Sequence, residues 1–369
     1  MADETHNEGT LMILLHLFLV ALVQIGPVAA EAQEPRSAPF YADHEKMLVV
    51  RDGEGAERPI RSVEDWNVRR AHILSHLQEV MGKLPGGERR VPLDVRVEAA
   101  FDELRYLRQK ITFATEPGDR VAAWLLLPKG AEGKRPAMLC LHQTTAIGKD
   151  EPAGEGGLPN LHYAKELAER GFVTLSPDYP NYGDSHVDVY ALGYQSASMK
   201  GVWNHMRAVD VLCSLPQVDS GRLGVIGHSL GGHNAIFVAL FDERIHALVT
   251  SCGFNAFPYY YQGDIAGWSH AGYMPRLRSA YQLDLQKVPF DFPELLGALA
   301  PRAVFVNAPL HDENFEVEGV RACFNAAHPV YELFGAAGNL VMQNPDAEHD
   351  FPEPVRKRAY EFLADYLKP

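Results

Sequence analysis

With 369 residues, 46% of them hydrophobic, the chain can bury a large core, and its length suits one big α/β domain. A formal charge of −14 without any clustered run of Lys and Arg argues against a nucleic-acid partner, because phosphate binding needs such clusters. Small neutral or mildly polar substrates fit this balance better.

Residues 11–23 form an apolar run broken only by His16 and followed by Gln24, Gly26 and Pro27, then by small residues through Ala30-Glu31-Ala32. This is the layout of a signal peptide with an A-x-A cleavage site, so residues 1–32 are expected to be a leader and the protein to be exported, periplasmic or extracellular, with a membrane-anchored or a cytoplasmic protein as the alternatives. The preceding segment carries Asp3, Glu4 and Glu8 but no Lys or Arg; translation from Met12 would remove those acids. The run is shorter than the ~20 residues of a membrane span, so no stable span is expected after cleavage. Residues 33–60 are rich in Glu, Pro, Arg and Gly, show little periodicity and read as a linker or extended arm.

Ser62 is placed as an N-cap with Asp65 in the first turn, and Trp66, Val68, Ile73, Leu74, Leu77, Val80 and Met81 predict a helix that runs to Gly82. Three stretches, Val91 to Val97, Arg105 to Thr115 and Val121 to Leu127, read as a β-meander at an antiparallel sheet edge. The pattern then changes to βαβ alternation. Strands are expected at Ala137 to Leu141, Val173 to Ser176, Leu223 to Ile226, Ala247 to Ser251, Ala303 to Asn307 and Val330 to Phe334. Helices are expected near Leu161 to Arg170, Met199 to Leu215, Gly232 to Phe241, Val317 to Ala327 and Pro354 to Leu367. Such alternation predicts a mostly parallel central sheet with helices on both faces, and places ligand chemistry at the carboxyl ends of the strands. Residues 61–369 would form one such domain, in which 255–300 is an insertion that either caps the pocket or is a packed subdomain.

Gly227-His228-Ser229-Leu230-Gly231 carries the chemistry. It follows the apolar run Leu223-Gly224-Val225-Ile226 and opens a helix, the strand, sharp turn and helix of a nucleophile elbow. A serine hydroxyl needs a base in hydrogen-bond reach and a third group to orient that base. His349, in the loop before the last helix, is the expected base. Asp312, just past the strand Ala303 to Asn307, is the expected acid, with Glu313 as fallback and Asp350 as a further alternative. Two N–H donors must face the developing oxyanion: Leu230 supplies one, and the loop His142-Gln143-Thr144-Thr145 the other, through Thr144 or else Gln143. His142 reads first as a brace for that loop. Substrate contacts are assigned to His142, His228, Tyr260 and Trp268, the last two in an insertion dense in aromatic residues. The glycine-rich segment Ile147 to Pro159 lacks the spacing of a phosphate-binding loop and reads as a mobile rim. No metal or cofactor is implied. Four cysteines are too few and scattered for a disulfide framework or zinc site. Cys140 and Cys252 are expected on the two strands flanking the serine strand, about 9 to 10 Å apart and beyond the reach of a bridge, with Cys213 and Cys323 undecided.

These residues resemble the α/β-hydrolase superfamily, and within it the branch similar to dienelactone hydrolases and bacterial acetyl xylan esterases. The resemblance runs from about Trp66 to the C-terminus. It rests on the leading helix Trp66 to Pro85, His142-Gln143-Thr144-Thr145, Ser176-Pro177-Asp178-Tyr179-Pro180, Gly227 to Gly232, Asp312 and His349-Asp350-Phe351-Pro352. The chain departs from dienelactone hydrolases in having Ser229 where they carry cysteine. It departs from cephalosporin and xylan deacetylases, which carry Gln, and from glucuronoyl esterases, which carry Arg, in having Leu230 after the serine. The resemblance implies a serine hydrolase of carboxylic esters, acting on a small-molecule or oligosaccharide ester of short-acyl or carbohydrate type. The alternatives are a peptidase similar to the prolyl oligopeptidase catalytic domain and a catalytically silent, hydrolase-like binding protein.

Overall fold

The computed structural model describes residues 38–130 and 133–367, and the leader expected at residues 1–32 lies outside them. Within this range the chain begins with a short antiparallel hairpin, β1 (Val49–Arg51) and β2 (Glu57–Pro59). Part of the segment expected as a linker is therefore packed structure: Tyr41, Met47, Val50 and Ile60 are buried. The sequence signal for this is slight: the apolar run Met47 to Val50 is only four residues long, and Tyr41 and Ile60 stand apart from it with no period. The helix α1 (Val63–Met81) comes next, with the Ser62 side chain accepting from Asp65 N–H at 3.3 Å and Gly82 leaving it in a left-handed conformation at φ 92.

Three strands, β3 (Arg96–Asp102), β4 (Tyr106–Glu116) and β5 (Asp119–Pro128), form the meander. The remainder alternates: β6 (Arg135–Leu141), α2 (Tyr163–Glu169), β7 (Val173–Pro177), α3 (Ala197–Ser214), β8 (Val218–His228), α4 (Leu230–Phe241) and β9 (Ile245–Ser251). Two short helices, α5 (Arg276–Ser279) and α6 (Phe292–Gly297), lie in the insertion before β10 (Ala303–Asn307), α7 (Val317–Leu333), β11 (Leu340–Gln343) and α8 (Glu353–Tyr366). Among the described residues the main sheet has nine strands in the order β11-β10-β9-β8-β6-β7-β5-β4-β3. Strands β6 to β11 pair in parallel and the meander supplies the antiparallel edge. β8 thus sits in the middle of the parallel part, its carboxyl end flanked by the ends of β6 and β9. The helix that follows it, α4, is buried at every position from Leu230 to Leu240 and so shows no amphipathic period.

Two strands depart most from the sequence reading. The first meander strand lies at Arg96–Asp102 rather than Val91 to Val97; Asp94 takes a positive φ of 41, and the strand's residues are nearly all exposed, which erases the alternation that marks a half-buried strand. Val330 to Phe334 is not a strand but the last turn of α7 and its cap. Pro329 lies inside the helix, and buried Val320, Cys323, Ala327, Val330 and Tyr331 continue the helical spacing across it. Gly335, at φ 66, is the real stop, and the strand follows at Leu340–Gln343, paired with β10.

Buried charges fasten the elements that carry the sheet ends. Lys200 of α3 is fully buried and donates to Glu116 at 2.7 Å, Asp119 at 2.6 Å and Thr115 Oγ1 at 3.2 Å, which ties α3 to the β4–β5 turn. Removing one partner of such a buried set costs about 3 to 5 kcal/mol, since it leaves an uncompensated charge. Glu294 of α6 caps its own helix through the Asp291 N–H at 3.1 Å, and takes His44 Nδ1 at 2.8 Å and the Arg69 guanidinium. That carboxylate joins the N-terminal segment, α1 and the insertion. Among the described residues no helix is long and apolar enough to cross a membrane.

Candidate active site

At the end of β8 the chain turns within one residue. Ser229 adopts φ 53 and ψ −116, a conformation that costs a non-glycine residue about 1 to 3 kcal/mol and persists only where the surroundings enforce it. The enforcement is visible on both sides. A Cβ on Gly227 would stand 2.1 Å from the Gly231 carbonyl oxygen, and one on Gly231 would stand 1.9 Å from the Leu141 carbonyl oxygen. The start of α4 is therefore pressed against the end of β6. The Ser229 N–H donates to Ser251 O at 2.8 Å, which fixes the turn to the end of β9. The residue is partly exposed, and its hydroxyl makes no hydrogen bond among the described residues.

Asp312 stands in the loop after β10 and His349 in the loop before α8. Asp312 is buried and accepts from Asn314 N–H at 2.9 Å and Phe315 N–H at 3.1 Å, both through Oδ1. His349 Nδ1 lies 2.9 Å from Oδ2 and 3.0 Å from Oδ1 of the same carboxyl. Burial pushes this carboxyl up, but the His349 ring and the two backbone N–H groups outweigh it and hold the group below the usual Asp range. The acid is thus a carboxylate near neutrality, and because a carboxylate only accepts, it fixes the proton of neutral His349 on Nδ1 and leaves Nε2 as the basic atom. The His349 ring is 4.8 Å from that of His228, the residue before Ser229. The other acids weighed lie apart from this pair: Glu313 is exposed, and Asp350 accepts from Asn160 Nδ2 at 2.7 Å.

A lacing of polar groups beneath the site was not foreseen from sequence. Asn307, the last residue of β10, donates from Nδ2 to Ser251 Oγ at 2.8 Å and to the Asp350 carbonyl at 2.9 Å. Ser251 Oγ shares a hydrogen bond of 2.9 Å with His228 Nδ1, and Cys252 Sγ donates to the same Asp350 carbonyl at 3.4 Å. One amide thus joins the ends of β8, β9 and β10 to the loop that carries His349. We expect Asn307→Ala to lower kcat about 10- to 100-fold with KM nearly unchanged, because small misplacements of a base penalise the reaction more than binding. Steady-state kinetics on one ester would check this, and an equal loss in kcat and rise in KM would refute a positioning role.

The loop after β6 and the start of α4 hold the candidate oxyanion donors. The N–H groups of Leu230, Gln143 and Thr144 meet no protein acceptor among the described residues, so they are free to face a ligand. His142 braces this loop: it donates from Nδ1 to Gln143 O at 2.6 Å and accepts at Nε2 from Tyr179 N–H at 2.9 Å. Burial lowers its pKa to about 4 and keeps it neutral. The Gln143 side chain donates to Glu151 at 3.1 Å, and Thr144 Oγ1 lies 3.3 Å from the Tyr273 hydroxyl of the insertion.

The residues expected to contact substrate are all buried: His142 at 2%, His228 at 1%, Tyr260 at 8% and Trp268 at 2% exposure. In this structure they form the wall behind the site. Trp268 packs on His233, Phe292, Phe315 and Tyr273, and Phe315 in turn lies 6.0 Å from His349. Tyr260 and Trp268 are core residues, and from the insertion Tyr273 reaches the loop after β6. The segment 147–159, expected as a mobile rim, is tied down. Lys149 is buried against Asp178 at 3.1 Å and Asp184 at 2.7 Å, and Glu151 accepts from Leu158 N–H at 3.0 Å. A cavity of about 340 Å³ lies elsewhere, between the N-terminal segment and the insertion, lined by His44, Phe257, Leu285, Phe290 and Asp291 and not by Ser229. All four cysteines are free; Cys140 lies on β6 and Cys252 directly after β9, on either side of β8.

The family described as "Glucuronyl esterase, fungi" matches residues 179–335. A 4-O-methyl-glucuronoyl methylesterase from Phanerochaete carnosa is 23% identical over 96% of this chain and 89% of its own length. Among solved structures, a glucuronoyl esterase from Solibacter usitatus superposes with a TM-score of 0.70 at 19% identity, covering 88% of this chain and 98% of that one. An acetyl xylan esterase from Paenibacillus sp. R4 gives a TM-score of 0.57 at 18% identity, covering 80% and 99%. The nine-stranded sheet and its covering helices agree with these likenesses. The chain has the α/β-hydrolase fold and, within it, resembles the branch of glucuronoyl and acetyl xylan esterases.

Proposed function

We propose that the protein is a serine carboxylic-ester hydrolase that acts on short-acyl or carbohydrate esters through Ser229, His349 and Asp312. The observation that carries this reading is the His349–Asp312 pair, 2.9 Å apart, beside a strained serine turn whose flanking N–H groups are unengaged. His349 Nε2 takes the Ser229 proton as the oxygen attacks the ester carbonyl, and Asp312 stabilises the imidazolium that forms. The N–H groups of Leu230 and Thr144, or Gln143, receive the oxyanion. His349 then protonates the leaving alcohol, and water releases the acyl group by the reverse sequence. Leu230 contributes a backbone donor but no charged side chain, so the oxyanion rests on backbone N–H groups alone. The esterase relatives support a carbohydrate ester as substrate, and an expected leader at residues 1–32 would deliver the enzyme to extracellular polymer fragments.

Initial rates on p-nitrophenyl acetate, butyrate and octanoate, on acetylated xylooligosaccharides and on a methyl glucuronate ester test the reading. Acetate is expected to be the best acyl group, with measurable turnover of at least one carbohydrate ester. Cleavage of a chromogenic dipeptide amide with no ester turnover would replace it with a peptidase.

A further inference from the structure

The carboxylate and imidazole proposed for catalysis have a third neighbour that the mechanism does not use. Cys252 follows β9 with a left-handed backbone, φ 47, and its sulfur, an Asp312 carboxylate oxygen and a His349 ring nitrogen all lie within 4.8 Å of one another. The sequence separations of these residues carry no metal-site pattern; the convergence of β9, β10 and the His349 loop at one corner of the sheet creates the cluster.

We propose that Cys252, Asp312 and His349 form an inhibitory site for zinc or a similar thiophilic divalent cation. A thiolate, an imidazole and a carboxylate are a ligand set of zinc, with bonds of about 2.0 to 2.3 Å that set tetrahedral ligand separations near 3.3 to 3.5 Å. The Asp312–His349 contact, 2.9 Å, opens by a few tenths of an ångström to admit the ion, and the sulfur closes by about 1.3 Å at most. The thiol is buried while the His349 side chain is 28% exposed, so the ion enters past the imidazole. Zinc bonds the sulfur, one carboxylate oxygen and Nδ1. The thiol gives up its proton to solvent, and the imidazole proton leaves Nδ1 and is carried on Nε2, so one proton is released per ion bound. The inhibitory consequence rests on the proposed triad: with Nε2 protonated, His349 has no lone pair for the Ser229 proton and hydrolysis stops. Hard cations such as Mg²⁺ and Ca²⁺ favour all-oxygen sets and leave the site alone.

The test uses the full chain as wild type, Cys252→Ser and Cys252→Ala, with Co²⁺ and Zn²⁺ as probes. Cobalt is expected to give a thiolate-to-metal charge-transfer band in wild type only. Zinc is expected to inhibit p-nitrophenyl acetate hydrolysis reversibly, with EDTA restoring the rate. The inhibiting concentration, scaled to each protein's own uninhibited rate, should rise at least 10-fold in both variants, and Mg²⁺ at a large excess should not inhibit. Equal zinc inhibition of wild type and Cys252→Ser, or a cobalt complex of wild type without the thiolate band, would overturn the proposal. A thiolate band that depends on Cys252 in a protein that hydrolyses no ester would keep the metal site and remove the esterase reading instead.

Discussion

Ser229→Ala is expected to reduce ester hydrolysis by about 10⁵-fold while leaving the fold intact, with residual turnover above water arising from oxyanion donors and binding alone. The two halves of this expectation come from different atoms. The hydroxyl is the proposed nucleophile and has no hydrogen bond among the described residues, so its removal breaks nothing structural. The strained turn is held by backbone groups that the substitution keeps: Ser229 N–H to Ser251 O at 2.8 Å, and the Ser229 carbonyl accepting from Gly232 N–H at 2.8 Å and His233 N–H at 3.2 Å. Alanine carries the same Cβ into the same left-handed region. The melting temperature should therefore move by no more than about 2 °C, since surface changes away from structural bonds stay within ~0.5 kcal/mol. Rates on p-nitrophenyl acetate, with labelling by a fluorophosphonate probe as a second readout, check the activity arm. Equal rates from wild type and variant, with equal labelling, would move the chemistry away from Ser229.

What was legible in the sequence was local chemistry with a steric reason behind it. Gly227 and Gly231 announce themselves because the contacts they allow, to Gly231 O and Leu141 O, forbid any Cβ. That Asp312 and His349 would meet was legible through chain order, since a parallel sheet delivers every strand's carboxyl end to the same edge. Stretches buried on both faces, such as β10 and Leu223 to Ile226 of β8, read as apolar runs. The failures lie where burial is one-sided or scattered. β3 is exposed and so lost its alternation, the N-terminal hairpin is anchored by one short apolar run and two scattered residues, and the end of α7, Val330 to Phe334, is an apolar stretch that also suits a strand. Asn307, Ser251 and Cys252 were not legible because nothing at positions 56 residues apart, as Ser251 and Asn307 are, signals that two strand ends will share a hydrogen bond. Such side chains acquire a role only when the sheet has placed their neighbours.

Asp312→Asn should lower kcat by about 10³- to 10⁴-fold with little loss of stability, and should be at least as poor a catalyst as Asp312→Ala. The direction follows from which oxygen does what. Oδ1 accepts from the Asn314 and Phe315 N–H groups at 2.9 and 3.1 Å, so the amide oxygen of Asn is drawn to that side and its NH₂ group replaces Oδ2 opposite His349 Nδ1. A donor facing Nδ1 forces the imidazole proton onto Nε2, the atom that should be free to accept from Ser229. Alanine removes the directing carboxylate without imposing the wrong tautomer, yet it abandons both N–H groups of the loop and should be the less stable of the two by about 1 to 3 kcal/mol. Denaturation midpoints and kcat measured on both variants thus move in opposite rank order. A rank order in which Asn is both the better catalyst and the more stable protein would mean that Asp312 acts as a structural cap and that another acid orients His349. Zinc at Nδ1 drives the imidazole to the same unproductive tautomer by a different route, and Asp312→Asn, which substitutes a weaker ligand for the carboxylate, should bind that ion less tightly while already being inactive.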